Sequence, residues 1–131
     1  MHINLESDYA VRIVRVLAQQ NERMDAALIS QNSCVSLTLT LKIMRKLVAA
    51  GLVRSFKGAH GGYCLAHEPH EITLRHVIEA IEGPYRFSRC LDEGYDCTCK
   101  EAIACPFHSV FDEVTAMVVK KLDQISFDSL I

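Results

Sequence analysis

Four of the six cysteines fall within sixteen residues, at Cys90, Cys97, Cys99 and Cys105, and His108 follows the last by three. Gly94, Pro106 and scattered charges break any apolar periodicity before Cys105, so this stretch reads as a loop, with an amphipathic helix starting at its end. Thiols gathered on a loop at a helix start make a metal or redox site, because the thiolate is both the ligand and the reactive species. Thiolates suit iron–sulfur clusters and zinc alike. A structural zinc site usually shows cysteines paired two to four residues apart, twice. Here the gaps between successive cysteines hold six, one and five residues, and Cys97 and Cys99 are too close for a chelating pair of equals. Zinc stays as the alternative to a cluster. A second alternative is a thiol switch, with Cys97, Cys99 and Cys105 forming a disulfide on oxidation. Cys34 and Cys64 lie outside the stretch and are expected to be small buried residues.

The elements that must position such a loop follow from the rest of the chain. It has 131 residues, half of them hydrophobic, enough for one domain with a real core and an extra helix. No run approaches the roughly 20 apolar residues of a membrane helix. The N-terminal stretch lacks the order of a signal peptide, which predicts a cytoplasmic protein with reduced thiols rather than disulfides. The net charge of −2 argues for no nucleic-acid partner by itself, but its distribution does. Residues 1–62 carry eight Lys/Arg against four Asp/Glu, and residues 63–131 carry six against twelve. A basic front and an acidic rear suit a DNA-facing module joined to a part that stays off DNA.

Leu5 to Gln20 reads as a helix, with Ser7 as candidate N-cap and Tyr9, Ile13, Val16 and Leu17 as its apolar stripe. A shorter helix spans about Asp25 to Gln31. Ser36 caps a third that runs to about Ala50, where Gly51 is a fitting residue to end it. Two helices joined by a short turn outline a helix-turn-helix. Leu52–Phe56 and Tyr63–Ala66 read as strands around a segment with three glycines, a hairpin in the position of a wing. Thr73 caps a fourth helix, which Gly83-Pro84 ends. From Phe107 to Ile125 apolar residues recur every three or four positions, predicting a helix about 28 Å long. A long terminal helix beyond a small winged domain is expected to pair with its symmetry mate. The predicted class is mainly α with a small β-hairpin: a winged helix-turn-helix (1–83), a cysteine-rich sensor loop (84–106), and a dimerisation helix with C-terminal segment (107–131).

SDYAVRIVRVLA near the start, AGLVRSFKGAHGGYCLA at the hairpin and EITLRHVIEAIEG after it resemble the IscR/NsrR-type family of winged-helix repressors. The resemblance covers nearly the whole chain. It implies a homodimeric transcription regulator with an iron–sulfur cluster held by three loop cysteines and a fourth, non-cysteine ligand. It assigns Cys90 and Cys105 to the outer positions. Cys99 takes the middle one by keeping the family's five-residue gap to Cys105, with Cys97 as alternative because it gives a first gap nearer the family's. His108 matches the histidine of IscR-like 2Fe–2S members. Asp8 stands where NsrR-like 4Fe–4S members place an aspartate supplied across the dimer.

In this reading the third helix enters the major groove of double-stranded DNA and presents Ser36, Thr38, Leu39, Lys42 and Arg45. Thr38, Lys42 and Arg45 share one polar face, whereas Thr40 stands where an apolar core residue is expected. Lys57 and His60 of the wing reach phosphates or the minor groove, although Lys fits a narrow groove less specifically than Arg. The dimer reads a pseudo-palindrome with half-site centres roughly 34 Å apart. Nitric oxide, oxygen or iron shortage would remove the cluster, and the DNA-competent state would then be lost or its specificity changed. A role through a protein partner is the remaining alternative. No nucleophile elbow, phosphate loop or pair of carboxylates suggests an enzyme.

Overall fold

A computed structural model describes residues 2–99 and 105–131. Helix α1 (Leu5–Gln20) begins at Asn4, whose side chain accepts from the Ser7 amide at 2.7 Å. The cap is therefore Asn4 and not Ser7. Ser7 lies inside the first turn, fully buried, and its hydroxyl donates to Glu82 Oε2 at 2.5 Å. Helix α2 (Ala26–Ser33) is capped by Asp25, and α3 (Leu37–Ala49) by Ser36, each accepting from the amide three residues on. Between them Cys34 turns the chain in the left-handed region at φ 57°.

Strands β1 (Val53–Phe56) and β2 (Gly62–Leu65) form an antiparallel hairpin in the register Val53↔Leu65 to Phe56↔Gly62. The hairpin is bound to the body by backbone: Met24 and Tyr63 exchange amide–carbonyl hydrogen bonds of 2.9 and 2.7 Å. That close approach requires glycine at 62. A Cβ there would lie 2.4 Å from the Met24 carbonyl oxygen, and its φ is 144°. Helix α4 (Leu74–Glu82) starts at Thr73, which accepts from His76 N while His76 Nδ1 accepts from the Thr73 amide. It ends at Gly83, at φ 82°. Helix α5 (Pro106–Asp123) follows the cysteine loop.

The core lies between α1, α2, α3, α4 and the hairpin. Ile13, Val14, Leu17, Ile29, Ile43, Met44 and Leu47 are all sealed in it. Its largest fully buried side chain comes from elsewhere: Phe127, in the 3₁₀ turn Phe127–Leu130 after α5. The Phe127 amide donates to the Ile72 carbonyl at 3.0 Å, and the Leu74 amide to the Ile125 carbonyl at 3.0 Å. Arg15 Nε donates to the Leu130 carbonyl at 2.8 Å. The chain thus leaves the winged unit along α5 and returns to close its core.

Helix α5 itself is little buried. Thr115 alone among its described residues is sealed, accepting from the Phe87 amide at 3.0 Å and donating to the Phe111 carbonyl at 2.8 Å. Phe111, Val114, Val118 and Leu122 are half-buried, and Phe111 packs on Phe87 with centroids 5.2 Å apart. Phe107, Val110 and Met117 stand exposed, Met117 at 71%. The apolar stripe read as one face is therefore two, one packed on its own chain and one open.

Candidate nucleic-acid interface and metal centre

Helix α3 sorts its residues as its period demands. Thr40, Ile43, Met44 and Leu47 face the core, while Ser36, Thr38, Lys42 and Arg45 are exposed. Thr40 keeps the core position expected of an apolar residue, because its buried hydroxyl donates to the Val35 carbonyl at 3.5 Å. Leu39 is half-buried against the core, so most of its surface serves packing. Leu37, the first helical residue, is 47% exposed and offers the free apolar side chain at the leading end of α3. Periodicity points to it only in hindsight: an apolar residue one place before the core face is easily read as core.

Lys57 and His60 stand exposed at the hairpin tip. Their place is set by a residue that sequence reasoning missed. The Arg23 guanidinium lies 3.7 Å over the centre of the Phe56 ring, and its Nη1 donates to the His60 carbonyl at 2.7 Å. Arg23 is 33 residues from Phe56 in the chain, and no local pattern announces such a pairing.

The second site lies where the cysteine loop meets α5. Ser88, Cys90, Tyr95, Cys97, Cys105, Phe107, His108 and Phe111 surround a cavity of about 340 Å³. Cys90 sits in the 3₁₀ turn Arg89–Leu91, its amide held by Ser88 Oγ at 3.4 Å. Cys105 is the N-cap residue of α5, and His108 lies in its first turn. Three thiols and one imidazole thus share one wall. Cys99 is exposed and does not line the cavity, and Lys100–Ala104, between it and Cys105, lie outside the described residues. Asp8 of the same chain does not line the cavity; it lies in the first turn of α1, where it pairs with Arg12 at 2.7 Å.

The donor chemistry of this wall fits a thiophilic group, since thiolates with one imidazole are ligands for iron–sulfur clusters and for zinc. Among the described residues no three His, Cys, Asp or Glu side chains converge tightly enough to hold a single ion. The donors line the cavity without meeting at one point. All six cysteines are free thiols. Cys34 is exposed, not buried as its residue type led one to expect, because the left-handed turn at the end of α2 directs its side chain outward. Cys64, half-buried in β2 opposite Arg54, meets the expectation halfway. Among the described residues no helix is long and apolar enough to cross a membrane.

Comparison with known proteins places the chain in a family. The profile of the Rrf2 family, described as an iron-dependent transcriptional regulator, matches residues 3–131. The protein named rrf2 from Nitratidesulfovibrio vulgaris is 28% identical over 132 residues, covering 99% of this chain and 87% of the relative. Among solved structures, IscR of T. potens superposes with a TM-score of 0.76 at 25% identity, covering 99% of this chain and 85% of the other. CymR, the global cysteine regulator of B. subtilis, superposes with a TM-score of 0.78 at 26% identity over 99% of this chain and 95% of its own. Members of the matched family are named as transcriptional regulators, not enzymes. The winged helix-turn-helix, the cysteine loop and the closing helix all fall within that match, and this chain belongs to the Rrf2 family of transcriptional regulators.

Proposed function

We propose that this chain is a homodimeric DNA-binding regulator that senses redox, nitric oxide or iron status through an iron–sulfur cluster at the cysteine loop. The observation that carries the proposal is the shared cavity of Cys90, Cys97, Cys105 and His108 at the start of α5. Cys90 and Cys105 are the outer thiolate donors. The lining supports Cys97 over Cys99 for the middle position, because Cys97 faces the cavity and Cys99 does not; His108 faces it as the fourth ligand, with Asp8 of a second subunit as the alternative. A bound cluster, held by the three thiolates and a non-cysteine ligand, would supply a redox-labile link. The protein's part is to join that link to structure: Phe87 and Thr115 tie the loop to α5, and α5 leads back to Phe127 in the winged core. On the DNA side, Ser36, Leu37, Thr38, Lys42 and Arg45 enter the major groove while Arg23 holds Lys57 and His60 toward the backbone. The exposed row of Phe107, Val110 and Met117 is the surface for the second subunit.

The test is an absorption spectrum with iron and sulfide analysis on protein purified without oxygen. Brown protein with near-equal iron and sulfide supports the cluster, and Cys105→Ala should then be colourless. A Cys105→Ala protein of unchanged colour overturns the assignment. One observation favours a second reading. Cys99 is exposed and two residues from Cys97, the position of a thiol free to be oxidised. Colourless protein whose DNA affinity falls and recovers with oxidation and reduction would establish that thiol switch instead. Colourless protein carrying zinc would make the centre a zinc site.

A further inference from the structure

The most basic element of the chain carries an acidic residue against it. Glu6, in the first turn of α1, lies 2.9 Å from Lys46 Nζ and 3.8 Å from Lys42 Nζ, two lysines one turn apart on α3. Its side chain is 20% exposed, whereas Lys42 is 58% exposed. Glu6 sits on an anchored turn. Its neighbour Ser7 is buried and bonded to Glu82, which fixes the first turn of α1 in place. For folding alone such a pair contributes little, since partly exposed ion pairs are worth at most about 1 kcal/mol. Its electrostatic consequence is larger. A lysine already neutralised by a carboxylate releases fewer counterions when it meets a phosphate, and counterion release supplies essentially all of non-specific DNA binding.

We infer that Glu6 is a specificity-determining residue, which occupies Lys46 and Lys42 of the recognition helix and thereby suppresses indiscriminate binding to DNA phosphates. The inference rests on the DNA-binding reading above. Of the groove-facing residues, Thr38 and Arg45 have no such acidic partner among the described residues and stay free for base edges, while the charge that Lys42 and Lys46 would offer to phosphates is restrained. The negative charge also faces any phosphate that approaches this side of α3, which adds repulsion where the lysines would otherwise attract.

The experiment measures the affinity of the full chain for a random-sequence duplex across a salt series, for wild type and for Glu6→Gln, which keeps the shape and removes the charge. Each lysine released to a phosphate should steepen the slope of log affinity against log salt by about 0.9. Freeing both gives as much as about 1.8, and affinity at low salt should rise about threefold to tenfold. The effect should vanish when Lys42 and Lys46 are both replaced by Met. Glu6→Asp, which draws the carboxylate back, should give a smaller steepening in the same direction and serves if Glu6→Gln folds poorly. A wild type with no salt-dependent binding to any duplex overturns the DNA reading, and this inference with it. Wild-type binding with an unchanged slope in both variants overturns this inference alone. A steepening that persists without the two lysines does so too.

Discussion

The hairpin and the cysteine loop are both glycine-containing excursions from a helical body, yet the structure holds them in opposite ways. The hairpin is held by its own chain at every level: paired strands, the Met24–Tyr63 backbone bridge, and Arg23 stacked on Phe56. Among its described residues the cysteine loop has a 3₁₀ turn, the Phe87–Thr115 hydrogen bond and a cavity where it meets α5. Helix α5, which carries the loop's far end, buries one residue and exposes a row of large apolar ones. A rigid reader needs its shape before DNA arrives, so its interactions are internal. On the proposed reading the loop's order would depend on a bound cluster and a second subunit, which a signal can remove.

That contrast can be broken by experiment, beginning where the effect is greatest. Phe127 lies in the C-terminal segment but is sealed in the winged core. Phe127→Ala should cost about 3–5 kcal/mol in denaturant unfolding. A loss below about 1 kcal/mol would show that the C-terminal turn is not part of the reader's core. Next is Gly62→Ala, which sets a methyl group against the Met24 carbonyl. The wing must move, at a cost of at least about 1 kcal/mol, with loss of DNA affinity in a titration at fixed salt. Arg23→Ala should cost about 0.5–1 kcal/mol in stability, the worth of an exposed cation–π contact. It should weaken DNA binding more than that figure implies, because the tip carrying Lys57 and His60 loses its tether. Met117→Glu should be the mildest for the folded subunit, within about 0.5 kcal/mol, because the side chain is exposed. It should nonetheless shift sedimentation toward the monomer. A variant that still sediments as a dimer would remove this row from the subunit interface.

The parts of this protein legible in its sequence are those set by contacts a few residues long. Ser36 and Thr73 declare helix starts because a side-chain oxygen must meet an amide three residues on. Gly83 declares an end because only glycine takes its φ freely. Thr38, Lys42 and Arg45 are exposed together because 3.6 residues per turn requires it. The sequence pattern failed where two local signals competed. Ser7 is a good capping type, but Asn4 stood three residues earlier and took the cap, leaving Ser7 to be buried. Cys34 is a residue type that is usually buried, but its place in a left-handed turn put it outside.

What the tertiary structure alone decided rests on contacts between distant parts of the chain. Phe127 reads as a lone aromatic after a helix, and only the return of the chain beside Ile72 makes it the largest buried side chain. Nothing in the sequence singles out Arg23 or Glu6, and only packing sets one on Phe56 and the other against Lys46. The six cysteines were visible from the start, but which of them share a wall depends on how the loop folds onto α5. Local stereochemistry acts within a turn or two and is written in neighbouring residues. Proximity between distant residues is set by the burial of the whole core, and no short stretch of sequence contains it.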